Sequence, residues 1–252
     1  MLLRAVALTC LLLAATGCSE ATPSLEQRKE RIHAIEGAAT GAALARKARS
    51  DARLAAEQVP VNPHLPVIED GRQGSRRDSE TVAWRAMALL VVALKGEGLD
   101  QATVDEIIKD YRLGPHFTPD EARFITTAAP TDHDRIQFSW RYEAAWALLW
   151  SLGYVDALGK PTDTCDVPRA VGFLRDRSAQ QFLADAKLRP LDAILDEADL
   201  IYRYHWAVRD AEINNRPVPA GLSSSVIIER HYALNWLIGY MDQPWDDITT
   251  DT

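Results

Sequence analysis

Cysteine is scarce in this sequence, with three residues in 252, so a framework of disulfides cannot hold the fold together. Basic residues are also in the minority, because 28 Lys and Arg stand against 36 Asp and Glu and give a formal net charge of −8. A nucleic-acid-binding protein usually carries a concentrated basic face. We therefore expect no nucleic-acid partner. Apolar residues, in contrast, make up 47% of the chain, which is enough for a sizeable core.

The N-terminal apolar run is too short for a membrane-spanning helix and predicts a targeting segment instead. Arg4 supplies a positive charge, and an apolar run follows over residues 5–16, whereas a spanning helix needs about 20 residues. The stretch Leu13-Ala14-Ala15-Thr16-Gly17-Cys18 resembles a bacterial lipoprotein processing site. We predict that residues 1–17 are a signal peptide and that the thiol of Cys18 is acylated. An ordinary secretory signal cleaved nearby is the alternative.

A lipid on Cys18 predicts a location in the cell envelope. Several acyl chains anchor a protein stably where a single chain binds only marginally. Ser19 follows the cysteine, where an Asp would resemble an inner-membrane retention signal. We therefore expect the outer membrane, with the protein facing the periplasm. The membrane, through the lipid on Cys18, is the expected partner, and the sequence identifies no protein partner.

Composition divides the rest of the chain into four parts. Residues 18–24 are a short polar tether that carries the lipid. Residues 25–58 contain no proline and are rich in Ala, Arg, Lys and Glu, which favours a helix, either a stalk or a partly frayed segment. Residues 59–78 combine prolines and glycines without any period, which predicts a linker. On this division residues 79–252 are the folded domain and would fold without the stalk.

The domain is predicted to be all-α, a compact multi-helix bundle preceded by the long N-terminal helix. Gly96 and Gly98 end its first helical run, and Thr118-Pro119 begins a later one. Residues 138–152 and 226–241 are apolar on nearly every side, and such helices belong at the centre of a bundle. No run of alternating residues with hairpin turns and no internal repeat is found in the sequence.

Several stretches of the domain resemble a known family. They are Phe138-Ser139-Trp140-Arg141-Tyr142-Glu143-Ala144 running on to Leu148-Leu149-Trp150-Ser151-Leu152-Gly153, then Cys165-Asp166-Val167, Glu229-Arg230-His231-Tyr232-Ala233-Leu234-Asn235-Trp236-Leu237 and Trp245-Asp246-Asp247-Ile248-Thr249-Thr250-Asp251-Thr252. With these stretches the sequence resembles the mainly bacterial family known as domain of unknown function 4272, over residues 79–252. The resemblance implies a helical fold and offers no reaction, so it assigns no catalytic role to any residue.

Polar groups within apolar helices are the candidate functional residues, because an unpaired buried charge is costly. They are Arg141, Glu143, His205, Arg209, Glu229, Arg230 and His231. A carboxylate–histidine site of Glu143 or Glu229 with His205 or His231 would be hydrolase-like. The alternative is a structural network that fixes the register of the helices. Asp199 and Arg203, spaced i,i+4, predict a surface ion pair.

Motifs for metals, cofactors and nucleophiles are missing from the sequence. There is no HExxH, no CxxC, no glycine-rich phosphate loop and no GxSxG. Cys165 lies beside Asp166, whose charge raises the pKa of a thiol and disfavours a nucleophile. We therefore expect no metal and no cofactor. The leading expectation is a non-enzymatic binding or scaffold module, and the alternative is a hydrolase-like enzyme with a buried Glu/His/Arg site.

The lipid anchor gives the first testable prediction. Replacing Cys18 with Ser should move the protein from the membrane fraction to the soluble fraction, because no other segment is long and apolar enough to hold it. Cys10→Ser is the matched control and should leave the protein at the membrane. Fractionation in high salt measures the outcome, and a Cys18→Ser protein that stays with the membrane contradicts the prediction.

Overall fold

The computed structural model describes residues 24, 26, 27, 30, 39–68 and 76–252. The predicted signal peptide, Cys18 and residues 31–38 and 69–75 of the predicted stalk and linker lie outside this set. Over the described residues the fold is all-α and contains no strand, which confirms the predicted fold class. Within the same residues, no helix combines the length and the apolar character that crossing a bilayer requires.

The helices are numbered here in chain order. They are α1 (Gly41–Ala56), α2 (Ser79–Glu97), α3 (Gln101–Tyr111), α4 (Pro119–Thr126), α5 (Asp132–Ser139), α6 (Arg141–Ser151), α7 (Val167–Arg175), α8 (Ala179–Asp185), α9 (Leu191–Ile213) and α10 (Ser224–Ile238). Short 3₁₀ turns occur at Gly114–His116, Pro219–Gly221, Tyr240–Asp242 and Trp245–Asp247. Most connections are therefore short, but the most extensive contacts also join helices that are not successive, such as α2 with α6 and α1 with α9.

Helix ends follow the signals in the sequence. Asp100 is the N-cap of α3, and its side chain accepts a hydrogen bond from the backbone N–H of Thr103. Thr118 and Glu121 form a reciprocal capping box at the start of α4, where proline occupies the first turn. Gly98 ends α2 in the left-handed conformation that glycine adopts without strain.

Helices α2, α6 and α10 form the centre of the bundle. Helix α6 packs along both α2 and α10. Leu90 of α2, Leu148 of α6 and Leu234 of α10 are completely buried, as the all-round apolar sequences of α6 and α10 predict. The sequence predicts one helix from Asp132 or Asp134 to about Leu152, and the structure divides it at Trp140, because α5 ends at Ser139 and α6 begins at Arg141.

Gly96 explains how α5 comes so close to α2. A Cβ atom at this position would lie 2.7 Å from the backbone nitrogen of Ser139 and 2.8 Å from the carbonyl oxygen of Arg135. No side chain fits at those distances, so the two helices touch through their backbones. Gly96 therefore serves packing inside α2, and Gly98 alone ends the helix.

Helix α1 packs on the domain, which differs from the stalk expected over residues 25–58. It lies along α9 and contributes Leu54, only 1% exposed, to the main core. The buried Arg46 pairs with Asp196 of α9, with 3.2 Å between Nε and Oδ1. The sequence pattern of α1 is a thin apolar stripe, and that stripe is sufficient because α9 covers it.

The first part of the predicted linker is also held on the domain. Val59 is buried in the core. Lys47 of α1 donates from Nζ to the carbonyl oxygens of Pro63 at 2.6 Å and Leu65 at 2.5 Å. Arg203 of α9 donates from Nη2 to the carbonyl oxygen of Pro66 at 3.2 Å. Two cations thus fix residues 63–66, so this part of the chain is not a free connection.

The docking of α1 predicts a clear difference between two leucines of that helix. Leu54→Ala should lower the free energy of unfolding by about 2–5 kcal/mol, because the side chain leaves a cavity in the core. Leu44→Ala is the matched control, since Leu44 is 53% exposed and its removal should change stability little. Denaturant unfolding of the mature chain measures both, and equal small effects would mean that α1 stands away from the domain.

Candidate functional site

The seven candidate residues form separate groups instead of one cluster. Glu143 pairs with Arg230, Arg141 pairs with Glu229, His205 pairs with His231, and Arg209 pairs with Glu212. The burial and the bonds of each group determine what it can do chemically.

Glu143 is the most deeply buried carboxylate of the candidates, at 1% exposure. Its Oε2 lies 3.3 Å from Nε of Arg230, and its Oε1 accepts from the backbone N–H of Cys165. Arg230 also donates from Nη1 to the carbonyl oxygens of Leu158 at 3.1 Å and Gly159 at 3.3 Å. Both carboxylate oxygens are therefore bonded, and the pair ties α6, α10 and the 158–165 connection together.

The surroundings of the Cys165 thiol, beside this pair, disfavour a nucleophile. Burial, with the charge of Glu143 added, raises the pKa of Cys165 well above its usual range. A thiol attacks as its thiolate. Burial and Glu143 cause this shift, whereas Asp166, the neighbour considered in the sequence, is not among its causes.

Arg141 and Glu229 form the second pair, nearer the surface. Nη1 of Arg141 lies 2.9 Å and 3.1 Å from the two carboxylate oxygens of Glu229, whose side chain is 14% exposed. Burial raises the pKa of Glu229, although the charge of Arg141 opposes the shift. The guanidinium of Arg141 also lies 5.1 Å from the ring centre of Tyr232. The pair therefore joins the first turn of α6 to α10.

His205 and His231 form the third pair, with their Nδ1 atoms 2.8 Å apart. Both rings are buried, at 3% and 2% exposure. Burial lowers the pKa of His205 to about 4, with a further contribution from Arg209. Burial and the neighbouring His205 hold the pKa of His231 well below its usual range, against a hydrogen bond with Asn235. Both rings are thus neutral at pH 7, and one must donate to the other.

A neutral histidine with such a low pKa is a weak general base at neutral pH, because proton transfer is most efficient when the pKa lies near the working pH. Each of these rings also uses Nδ1 in the bond to the other. Neither ring contacts Glu143 or Glu229 in the pairs above, so the carboxylate–histidine arrangement that a hydrolase needs is not assembled among the described candidates.

Arg209 lies on the surface. Its side chain is 47% exposed and pairs with Glu212 one turn along α9. Exposed pairs of this kind contribute little to stability, typically about 0–1 kcal/mol. The charge of Arg209 also contributes to the lowered pKa of His205.

Two buried ion pairs were not anticipated from the sequence. Asp199 and Arg203 are fully buried, with 2.8 Å between Oδ1 and Nη2, so the predicted surface pair is wrong. Arg85 of α2 pairs with Glu121 of α4, and both side chains are buried. The i,i+4 spacing of Asp199 and Arg203 does not distinguish a buried pair from a surface pair. Arg85 and Glu121 are 36 residues apart, so local sequence does not indicate their contact.

An apolar pocket lies beside the histidine pair. It has a volume of about 280 Å³. One wall is residues 65–68, and the others come from Tyr202 of α9, from His231, Asn235 and Ile238 of α10, and from the C-terminal residues. Of the seven candidates, His231 alone among the described residues reaches this pocket.

In the described part of the chain, no three His, Cys, Asp or Glu side chains come together as a set of metal ligands. The candidate histidines bond to each other, and the candidate carboxylates bond to arginines.

Comparison with known sequences identifies the family. The model for the domain of unknown function DUF4272 matches residues 46–248. The chain belongs to this family. The match begins in α1, earlier than the resemblance over residues 79–252 indicated, and this agrees with the packing of α1 on α9. No curated protein and no solved structure matches the chain.

The pairing of Glu143 predicts the stability of the DUF4272 domain. Glu143→Ala should cost about 3–5 kcal/mol, because Arg230 would stay buried without its carboxylate, and a whole domain is typically stable by about 5–15 kcal/mol. Glu229→Ala should cost less, since that carboxylate is partly exposed. Glu212→Ala, on the surface, is the control. Thermal melts measure the order, and an unchanged melting temperature for Glu143→Ala would contradict the structural role.

The histidine pair predicts the pH dependence of stability. Because the folded pKa of His205 is about 4 and the ordinary value is 6.5, the unfolded chain binds more protons between these values. The contribution of the neutral His205 to the free energy of unfolding should therefore be intact above pH 6.5 and should fall as the pH drops towards 4. We expect a loss of roughly 2 kcal/mol between pH 7 and pH 5. The raised pKa of Glu229 acts in the opposite direction.

Denaturant unfolding at several pH values tests this dependence. A double variant, His205→Gln with His231→Gln, should be less stable at pH 7 but should lose less stability on acidification. His64→Gln and His133→Gln are matched controls, since both rings are exposed. The interpretation fails if the double variant keeps the same slope of stability against pH as the parent protein.

Proposed function

We propose that this DUF4272 protein is a non-enzymatic binding module of the cell envelope, anchored by a lipid on Cys18, and that its ligand is a small apolar molecule. The pocket beside His231 carries this proposal. Ligand sites are concave and mostly apolar, with a few polar groups that fix orientation. The lining residues with polar groups are Tyr202, His231, Asn235, Tyr240, Asp251 and Thr252.

The size of the pocket defines the class of ligand. Its volume of about 280 Å³ is near the lower end of ligand pockets, which measure about 300–1,000 Å³. A molecule of one or two fused rings, or a short acyl chain, suits this volume. An anionic ligand is disfavoured, because Asp251 lies at the wall and the neutral ring of His231 offers no opposite charge.

The pocket is supported by bonds that form without a ligand. Lys47 and Arg203 hold the carbonyl groups of Pro63, Leu65 and Pro66. A site that is already formed loses less conformational entropy when the ligand binds. These contacts favour specific binding over a surface that adapts to many partners.

The pairing of the candidate residues supports a binding module over the hydrolase-like alternative. Glu143 bonds through both of its carboxylate oxygens, and Glu229 bonds to Arg141. Neither carboxylate lines the apolar pocket. An acid–base mechanism needs a group within hydrogen-bond reach of a bound substrate, and the pocket offers only His231 from the proposed hydrolase set.

Binding of an uncharged fluorophore tests the proposal. N-phenyl-1-naphthylamine brightens in apolar surroundings and should bind the mature chain saturably. Val67→Trp should weaken binding by roughly tenfold or more, because the indole fills the pocket from its wall. Val218→Trp is the matched control, since Val218 is 38% exposed and lies outside the pocket.

Thermal melts must first establish that both variants fold. A folded Val67→Trp protein that binds the fluorophore as tightly as the parent would overturn the proposed site. A parent protein that shows no saturable binding would do the same.

A further inference from the structure

A second cleft lies between α2, α10 and the turn at Trp245–Asp247. It has a volume of about 350 Å³ and shares no lining residue with the apolar pocket. Its lining includes Trp84 and Arg85 of α2, His116, Trp236 of α10 and Trp245. None of these residues belongs to the candidate set, so the cleft is a separate feature of the molecule.

The walls of this tryptophan cleft are aromatic. Trp84 and His116 stack face to face, with ring centres 4.0 Å apart and planes 5° from parallel. Trp236 and Trp245 meet edge to face at 5.3 Å. Trp84 and His116 are half-buried, whereas Trp236 and Trp245 are buried. The stacked pair is therefore the part of the wall that a ligand can cover with a flat apolar face.

The charges around the cleft disfavour both kinds of ion. Asp78 and Glu80 are exposed at its rim and would repel an anion. A cation would meet guanidinium groups already in place, because Arg85 lies 5.1 Å from the ring centre of Trp245 and Arg77 lies 5.3 Å from that of Trp236. A neutral ligand avoids both penalties.

Hydrogen-bonding groups surround the aromatic wall. Glu80 provides a carboxylate, one oxygen of which accepts from Nε1 of Trp84 at 3.4 Å, and Thr81 provides a hydroxyl. The carboxylate of Asp78 already accepts from the backbone N–H of Thr81 as the N-cap of α2. Burial, with the charge of Arg85, lowers the pKa of His116, so its neutral ring offers one donor and one acceptor. The cleft thus presents an apolar face next to groups that bind hydroxyls.

We infer that the tryptophan cleft binds a neutral carbohydrate. One face of a sugar ring carries mainly C–H groups and packs on the Trp84–His116 stack, while the hydroxyls around the ring bond to Glu80 and Thr81. The cleft volume falls within the range of small-molecule sites, about 300–1,000 Å³. This inference does not depend on the apolar pocket, because the two sites share no residue.

Titration calorimetry with named sugars tests the inference on the mature chain carrying Cys18→Ser. Maltotriose and tri-N-acetylchitotriose are the neutral probes, and glucuronate and choline are the anionic and cationic ones. At least one neutral sugar should bind, and both charged probes should bind more weakly. Bound sugar should leave the affinity for N-phenyl-1-naphthylamine unchanged.

Variants locate the sugar on the protein. Trp84→Ala should weaken binding of the neutral sugar by roughly tenfold, whereas Trp206→Ala, also half-buried but outside the cleft, should not change it. Glu80→Gln alters an exposed side chain and should weaken binding several-fold without loss of folding. The inference is overturned if no neutral sugar binds, if a charged probe binds more tightly, or if folded Trp84→Ala and Glu80→Gln proteins keep the parent affinity.

Discussion

One buried carboxylate, that of Glu143, joins the parts of the structure on which the fold depends. It lies on α6, pairs with Arg230 of α10 and accepts from the backbone of Cys165. Taking two opposite charges out of water costs several kcal/mol per ion, and this is repaid only when geometry and additional hydrogen bonds satisfy both groups. Here Arg230 completes the set through the carbonyls of Leu158 and Gly159. The pair therefore ties α6 to α10 and holds the connection between α6 and α7 against both helices.

The central helices could be predicted from local sequence because their pattern is extreme. Helices α6 and α10 are apolar nearly all round, and only the middle of a bundle satisfies such a surface. Helix α1 could not be placed in the same way. Its apolar stripe is thin, and the surface that covers it belongs to α9, some 150 residues later in the chain. Local periodicity contains no information about a partner so far away.

The sequence predicted that the residues of the two ion pairs and of the histidine pair are buried or partly buried. It did not predict which residue pairs with which. The sequence allows Glu229 to pair with Arg85 or Arg230, whereas the tertiary fold brings Arg141 to Glu229 and Arg230 to Glu143. Asp199 and Arg203 illustrate the same limit, since i,i+4 spacing fixes their contact and not their burial. The tryptophan cleft was missed because Trp84, His116 and Trp245 are distant in sequence and carry no motif.

The hold of Lys47 on the chain that follows α1 has a consequence for energetics. Lys47 belongs to α1, yet it binds the carbonyl groups of Pro63 and Leu65 that support the wall of the apolar pocket. If α1 separates from α9, that wall loses the bonds from Lys47 and keeps only the one from Arg203. Undocking of the helix and opening of the pocket are thus linked equilibria, and a molecule that binds only the closed pocket must also hold α1 in place by mass action. A bound ligand would therefore increase the docked fraction of α1, a helix far along the chain from the residues of α10 that line the pocket.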